Sequence, residues 1–364
     1  MKAERIWESL PCDDARAATL TRELGVSPVT ARLLASRGFD PDEARRFLSP
    51  RLEDLHDPLR LTDLPVAVER ILGAMAQQQR IAIHGDYDVD GTSSIVILHT
   101  VLKLAGADVG YHVPHRILEG YGMRGEVVDQ ARADNVNLII SVDTGIRATE
   151  VVERANAHGI DVIVTDHHLP ETALPPALAV INPNRPDCNY PEKNLCGAAV
   201  AWKLAHAIMK QLDWPDARRK TMLASLLKLV AIATVADVVP LTGENRIIVK
   251  HGLDGLKDPR NVGLKALFEV AGIRIGIAPS ARQVAFQIAP RLNAAGRMDR
   301  LDVVVDGNTA VVLHEPGCLL GRHHGKAHER VPPHDARVEH RAGLLHHNHV
   351  ARGELALRAY VEFG

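Results

Sequence analysis

The segment RIAIHGDYDVDGTSS, residues 80–94, sets the fold class of this chain. It opens with the short apolar run RIAIH, passes through a polar loop, and leads into an amphipathic stretch near 92–105. A strand, a polar loop and a helix in this order begin a β-α-β unit, in which the loop lies at the carboxyl end of the strand. The segment therefore predicts a parallel sheet with polar side chains along one edge.

The pattern repeats downstream of this segment. Further strands are expected at ADVGYHV (107–113), VNLIISV (136–142), GIDVIVT (159–165) and ALAVIN (177–182). Helices are expected between and after them, near 124–134, 147–158 and 198–211. This alternation predicts an α/β fold with a parallel β-sheet covered by helices on both faces.

The regions on either side of the sheet read as helical. Residues 1–78 are expected to form a helical lead-in, in which Asp40, Pro41 and Glu43 have the spacing of a capped helix start. We expect a catalytic domain over 79–240, a helical extension over 241–300 and an irregular tail over 301–364.

Four segments rich in metal-binding side chains each follow a predicted strand or helix. They are IHGDYDVDGTSS (83–94), SVDTGI (141–146), VTDHHLP (164–170) and IATVADVVPL (232–241). Their candidate side chains are His84, Asp86, Asp88, Asp90, Asp143, Asp166, His167, His168 and Asp237. Carboxyl ends of parallel strands share one edge of the sheet, so these groups should converge. So many carboxylates are tolerable together only if cations neutralise them, which predicts a metal centre.

The ligand types narrow the choice of metal. Several carboxylates with two or three imidazoles and no thiolate suit Mn²⁺; Mg²⁺ is the alternative, and Zn²⁺ or Co²⁺ fit less well. A carboxylate shared between two ions would make a two-metal site of the kind used in phosphoryl transfer.

Composition excludes several other classes of protein. A net charge of −2 argues against a protein that coats DNA with broad positive charge, and with 4% aromatic residues nucleic-acid contacts should rely on Arg, Lys and backbone amides. None of the four cysteines forms a C-x-x-C pair, which excludes a thiolate zinc ribbon and a disulfide framework. The N-terminus has no apolar signal region and the chain has no run of 18 apolar residues, so we expect a cytoplasmic protein.

The four segments, in this order, resemble the motifs of the DHH phosphoesterase superfamily, which is named for the triplet seen here as Asp166-His167-His168. The resemblance implies that one metal ion binds His84, Asp88 and Asp143. It implies that a second binds Asp90, Asp143, His167 and Asp237, with Asp143 bridging. Asp86 would be a ligand or support one, Asp166 would orient a neighbouring ligand, and His168 would face the substrate phosphate or protonate the leaving group.

Within the superfamily, residues 20–300 resemble the branch of single-strand-specific 5′ exonucleases. The resemblance rests on PHRILEGYGM (114–123), INPNRPDCNYPEKNLCGAAVAWKLA (181–205), TVADVVPL (234–241) and APRLNAAGRM (289–298). The last segment is expected to form a phosphate-holding turn. The residues predicted to contact DNA are Arg116, Tyr121, Arg291, Asn293 and Arg297.

The resemblance implies 5′-3′ removal of nucleotides from single-stranded DNA by two metal ions, in recombination and repair. It also implies a single-strand-binding protein and a RecQ-type helicase as partners. One alternative is a phosphodiesterase for short oligonucleotides or cyclic dinucleotides, and another is an inactive truncated product.

The last part of the chain departs from the family pattern. No Gly-Gly-His segment is present, and VVLHEPG (311–317) resembles a stretch that family members carry farther downstream. Residues 321–350 hold eight of the nineteen histidines. This composition suits either a metal-binding tract or an aberrant end, and we expect an aberrant, poorly ordered end.

Overall fold

The computed structural model describes residues 11–115, 119–120, 122–296, 310–313 and 319–322. Within these ranges the chain forms α1 (Asp14–Leu24), α2 (Pro28–Ala35), α3 (Pro41–Leu48), α4 (Leu64–Ala76), β1 (Arg80–His84), α5 (Val89–Leu104), β2 (Val109–His112), α6 (Gly125–Ala133), β3 (Val136–Val142), α7 (Thr149–Ala157), β4 (Asp161–Thr165), β5 (Ala179–Ile181), α8 (Gly197–Gln211), α9 (Asp216–Ala236), α10 (Gly243–Gly255), α11 (Val262–Val270), α12 (Ala281–Gln283), α13 (Ala289–Gly296), β6 (Ala310–Leu313) and β7 (Leu319–Arg322).

Five strands form one parallel sheet in the order β2-β1-β3-β4-β5. The α/β class predicted from the sequence is confirmed, and β1 and β3 have the predicted bounds. The other strands of this sheet are shorter than predicted by two or three residues, because their flanking residues lie outside the ladder.

Both faces of the sheet are buried, which is why its strands read as nearly continuous apolar runs. In β3, Leu138, Ile140 and Val142 belong to the larger core, which also includes α4, α5, α8 and α9. The alternate residue Ile139 belongs to a second core with α6 and α7. This alternation is the two-residue period of a strand placed between two helical layers.

The helical lead-in has a small core of its own. Buried residues of α1, α2 and α3 pack together, among them Leu20, Ala31 and Leu34. The capping box predicted for α3 is present: the Asp40 side chain accepts from the Glu43 N–H at 2.8 Å, and the Glu43 side chain accepts from the Asp40 N–H at 3.1 Å.

A buried ion pair connects three parts of the chain. Lys203 Nζ in α8 lies 2.6 Å from Glu244 Oε1 in α10, and both side chains are almost fully buried. Glu244 also accepts from the His56 N–H at 2.7 Å and from the Tyr190 hydroxyl at 2.6 Å. Burial lowers the pKa of Lys203, although the charge of Glu244 opposes that shift. The pair therefore holds the lead-in, the sheet region and the helical extension together.

The segment expected to form a phosphate-holding turn is instead helical as far as Gly296. A π-helical turn over Val284–Ile288 runs directly into α13. Its Ala and Leu residues favour a helix, its glycine stands at the helix end, and its one helix-breaking residue, Pro290, lies in the first turn of α13, directly after the π-helical turn. The turn prediction was wrong for this part; Arg297 lies outside the described residues.

The expected irregular tail also differs from the structure in two short stretches. β6 and β7 pair antiparallel, with Val311 opposite Gly321. The remainder of 301–364 lies outside the described residues, so the expectation for the histidine-rich stretch stays a prediction. In the described part of the chain, no helix has the length and apolar character needed to cross a membrane.

Candidate metal centre

The four predicted segments meet at the carboxyl edge of the sheet. β1 and β4 both pair with β3, so the ends of these three strands lie side by side. Asp143 follows β3, Asp166 follows β4, and the loop after β1 carries Asp86 and Asp88. Asp237 joins them as the C-cap residue of α9. The convergence expected from the fold class is confirmed.

The loop after β1 is held by its own carboxylate. Asp88 caps α5: its Oδ1 accepts from the N–H groups of Asp90 and Gly91, each at 2.9 Å. A Cβ on Gly91 would lie 2.5 Å from the carbonyl oxygen of Asp86, so only glycine lets the loop fold back this closely. The tight loop brings Asp86 and Asp88 to Asp143, with one oxygen of each within 4.8 Å of the others.

Asp143 sits at the centre in an uncommon backbone conformation. Its φ is +58°, in the left-handed region that few residues other than glycine adopt. Its N–H donates to the Thr165 carbonyl at 2.9 Å, which ties it to the end of β4. Such strain is kept where the surrounding structure demands a particular side-chain position.

Asp90 links the centre to α8. Its two carboxylate oxygens accept from the N–H groups of Gly197 at 2.6 Å and Ala198 at 2.8 Å. These are orphan donors at the start of a helix, where negative charge is also favoured by the helix dipole. Asp90 therefore has a fixed orientation while its remaining lone pairs can bind a cation.

His167 faces three carboxylates. Its Nε2 lies 3.1 Å from Asp143 Oδ1, 3.6 Å from Asp90 Oδ2 and 3.8 Å from Asp237 Oδ2. Asp90, His167 and Asp237 form a group that can hold a metal ion. These three residues are the ligands predicted for the second ion, apart from the bridging Asp143. Asp143 belongs to two other groups, one with Asp86 and Asp88 and one with His167 and His168.

The electrostatics of the centre fit bound cations. Burial and the charge of Asp90 raise the pKa of Asp143 well above its usual value and that of Asp237 to about 6. Burial also raises the pKa of Asp88. Each shift reflects the cost of holding negative charge in this place, a cost that divalent cations would remove.

The surroundings of His84 test whether this predicted ligand suits a metal ion. Its side chain is buried, and among the described residues neither ring nitrogen has a hydrogen-bond partner. Burial lowers its pKa to about 3, so the ring is neutral and keeps a free electron pair. A buried, unpartnered imidazole is costly in a protein interior, and its free electron pair suits a metal ligand. None of the metal-holding groups among the described residues includes His84, however, so its ligand role stays a prediction.

Asp166 and His168 form a separate unit. Asp166 Oδ1 accepts from the N–H groups of His167 at 2.7 Å and His168 at 3.1 Å, and lies 2.8 Å from His168 Nδ1. This hydrogen bond raises the pKa of His168, whose side chain is 40% exposed. Asp166 thus orients the loop and His168. One His168 nitrogen also lies within reach of Asp143 and His167, so the geometry permits a ligand role that the family resemblance did not imply.

The structure describes two of the five residues predicted to contact DNA. Asn293 Oδ1 accepts from the Val89 N–H at 3.0 Å, which brings α13 to the loop after β1. Arg291 donates to the Gln287 carbonyl at 2.7 Å, within its own helical segment. Arg116, Tyr121 and Arg297 lie outside the described residues.

Three residues near the centre were missed by sequence reasoning. The His84 ring stacks on His112, with centroids 5.4 Å apart, and His112 Nε2 lies 2.7 Å from Glu119 Oε2. Gly197 packs directly on Asp143. The run CGAA at the start of α8 was the available signal for Gly197, since small residues permit close approach; His112 and Glu119 carried none.

Replacing Gly197 with alanine should weaken metal binding. A Cβ there would lie 2.5 Å from Asp143 Oδ1 and 2.7 Å from Asp143 Cβ, so the carboxylate must move. Displaced support for a ligand typically costs about 10- to 100-fold in metal affinity. Calorimetric titration with Mn²⁺ measures this. Gly73→Ala is the matched control, because a Cβ at Gly73 meets nothing within 4 Å; equal affinities in both variants would contradict the prediction.

Comparison with known proteins agrees with the motif analysis. Residues 80–234 match the model of the DHH family, N-terminal domain. A relative from Bacillus subtilis, named single-stranded-DNA-specific exonuclease RecJ, is 44% identical over 301 residues, which cover 82% of this chain and 37% of that protein. The chain thus spans well under half of that relative's length.

Two solved structures are also similar, both of RecJ from Thermus thermophilus. The complex with Mn²⁺ has a TM-score of 0.68 and 34% identity, covering 85% of this chain and 42% of the other. The complex with Mg²⁺ has a TM-score of 0.58 and 31% identity, covering 82% and 38%.

Proposed function

We propose that this chain, whose residues 80–234 match the model of the DHH family, N-terminal domain, is a metal-dependent exonuclease that removes nucleotides from the 5′ end of single-stranded DNA. The observation that carries the proposal is the convergence of buried carboxylates and imidazoles on one edge of the sheet. The names of its relatives support the substrate, since they are single-stranded-DNA-specific exonucleases.

Two divalent cations, Mn²⁺ or Mg²⁺, are the proposed cofactors, in line with the ions bound by the Thermus thermophilus relative. The ligands proposed for the first ion are His84, Asp88 and Asp143, with Asp86 as a further ligand or support. Those for the second are Asp90, Asp143, His167 and Asp237. When bound, such a pair supplies an activated water and stabilises the entering and leaving oxygens of the phosphate.

The protein's own groups have distinct parts in this scheme. Asp143 reaches both sets of ligands because its strained backbone fixes its carboxylate between them. Asp166 positions His168 through the 2.8 Å contact to Nδ1. The partly exposed His168 then donates a hydrogen bond to a phosphate oxygen or a proton to the leaving oxygen, and its raised pKa favours the protonated form that either role needs.

Residues of α13 and of the 114–123 segment have proposed roles in holding the DNA strand. We propose that Asn293, which accepts from the Val89 N–H, keeps α13 close to the loop after β1, and that Arg291 and Arg297 contact the substrate. Arg116 and Tyr121 are proposed to contact the strand. We also propose domain boundaries at residues 79, 241 and 301. The proposed biological role is in recombination and repair in the cytoplasm. The proposed partners are a single-strand-binding protein and a RecQ-type helicase.

The decisive experiment follows Mn²⁺-dependent release of nucleotides from single strands labelled at the 5′ or the 3′ end. Early release of the 5′ label, with blunt duplex left uncut, is the expected result. Dinucleotides and cyclic dinucleotides serve as competing substrates, since the same site would suit them. Turnover of these small molecules without attack on longer strands would overturn the nuclease proposal.

His168→Ala should lower turnover by about 10²-fold, the scale of a lost general acid or charge stabiliser. The number of Mn²⁺ ions bound in calorimetry should stay unchanged, because His168 is proposed to act on substrate. His158→Ala is the matched control, since His158 is an exposed imidazole at the end of α7. Loss of a bound ion in His168→Ala would make His168 a ligand, as its distance to Asp143 and His167 permits.

A further inference from the structure

A cleft of about 470 Å³ lies between the helical lead-in and α10, and its lining residues are separate from the metal-holding groups. One wall is formed by Arg37, Arg46 and Phe47 of the lead-in. Arg246 of α10 lines the other wall. Its volume lies in the range of small-molecule sites, roughly 300–1,000 Å³.

Two acidic residues of this cleft are already paired. Asp54 accepts from Arg51 Nε at 3.0 Å and from Arg51 Nη2 at 2.6 Å. Glu244 is the buried partner of Lys203. Glu43 lies beside them, and its side chain accepts from the N-cap of its own helix. Asp54 and Glu244 are therefore each paired with a cation, whereas Glu43 keeps its negative charge beside the cleft.

Among the described residues, the guanidinium groups of Arg37, Arg46 and Arg246 have no carboxylate within ion-pair distance. Arg246 stacks on the Phe47 ring, 3.6 Å from its centroid, and its Nε donates to the Phe47 carbonyl, which leaves both terminal amino groups to face other acceptors. Arg46 has no hydrogen-bond acceptor among the residues that the structure describes, and a neighbouring acid, Asp54, is held by Arg51. Arg37 donates one bond, from Nη1 to the Leu33 carbonyl at 2.9 Å.

We propose that this cleft is a second binding site, and that it takes a phosphate group through Arg37, Arg46 and Arg246. Guanidinium is the side-chain group whose planar donors match phosphate oxygens best. The stack on Phe47 holds one such plane in place before any ligand arrives, which reduces the entropy lost on binding. The phosphate can belong to a DNA strand or to a free nucleotide, since both offer the same chemistry.

The test uses the full chain in EDTA, so that binding is measured without hydrolysis. Calorimetry with dTMP and fluorescence anisotropy with labelled single-stranded oligo-dT give the two affinities. Arg46→Glu should weaken dTMP binding roughly tenfold, as expected for the loss of a charge-assisted hydrogen bond and an added negative charge. Arg45→Glu is the control: Arg45 is the neighbouring exposed residue of α3, pairs with Asp42 at 2.6 Å and does not line the cleft. Arg37→Glu provides a second variant should Arg46→Glu fold poorly.

The two ligands separate the possible sources of the phosphate. If a strand occupies the cleft, Arg46→Glu also weakens oligo-dT binding and lowers the slope of log affinity against log salt by about 0.7 for each phosphate that the protein no longer neutralises. If a free nucleotide occupies it, only dTMP binding weakens. Equal affinities for both ligands in Arg46→Glu and Arg45→Glu would overturn the site. Because no cleavage is measured, this outcome is independent of whether the chain is a nuclease.

Discussion

Replacing Asp143 with alanine should reduce Mn²⁺-dependent nucleotide release by roughly 10³-fold or more, beyond the loss typical of one missing charge-stabilising group. Asp143 shares a metal-holding group with Asp86 and Asp88 and another with His167 and His168. His167 also belongs to two groups, but among the described residues Asp143 alone shares one group with Asp86 and Asp88 and another with the two histidines. Its removal should therefore affect both ions.

The Asp143→Asn variant tests the effect of losing the negative charge separately from the effect of changing the backbone conformation. Asparagine tolerates the left-handed conformation of this position, whereas alanine does so less well. We expect Asp143→Asn to lose activity on the same scale, because the negative charge is what binds the cations. Asp129→Ala, at an exposed ion pair with Arg154, should leave activity unchanged. Substantial Mn²⁺-dependent activity in both Asp143 variants would refute the bridging role.

A stability measurement makes the first prediction independent of the nuclease assay. Burial and neighbouring carboxylates disfavour the charged form of Asp143, so its removal relieves repulsion in the metal-free protein. In EDTA the Asp143→Asn protein should melt at or above the wild-type temperature. Mn²⁺ should raise the melting temperature of the wild type through binding, and raise that of the variant far less. An equal rise in both proteins would show that the ions bind elsewhere.

Replacing Glu244 with alanine should destabilise the protein by about 3–5 kcal/mol, the usual cost of leaving a buried charge without its partner. Lys203 would remain buried in α8 with no carboxylate partner, and among the described residues its Nζ would keep one hydrogen bond, to the His56 carbonyl at 2.9 Å. The Tyr190 hydroxyl and the His56 N–H would lose their acceptor at the same time. Urea unfolding of wild type and variant gives the free-energy difference.

The control for this change lies on the same helix. Asp254 of α10 pairs with Lys250 at 3.5 Å, and both side chains are more than half exposed. Asp254→Ala should change the free energy of unfolding by less than about 1 kcal/mol, because solvent screens an exposed pair. If Glu244→Ala and Asp254→Ala cost the same, the buried pair does not hold the three regions together. A double change of Glu244→Gln with Lys203→Met should recover part of the loss by removing the unpaired charge.

Local sequence determined the strands of the parallel sheet, most of the helices around it, and the residue types that the candidate metal centre offers. The first and last residues of β1 (RIAIH) and β3 (VNLIISV) were predicted correctly, because an apolar run bounded by polar loops is typical of a strand buried in a parallel sheet. The candidate metal ligands could be predicted for a related reason. Each of the four segments that carry them includes the end of a strand or helix, where the fold class brings the chain to a common edge.

Tertiary structure decided what those segments touch. The contact of Gly197 with Asp143, the stack of His84 on His112 and the pairing of Lys203 with Glu244 join residues far apart in the chain. No periodicity or cap predicts such pairs, because each depends on the path of the chain between the two residues. For α13 the misleading signal was itself local, because the motif suggested a turn although most of its residues favour a helix. The sequence thus determined which groups can bind metal, while packing of distant segments decided their distances, their strain and their charge.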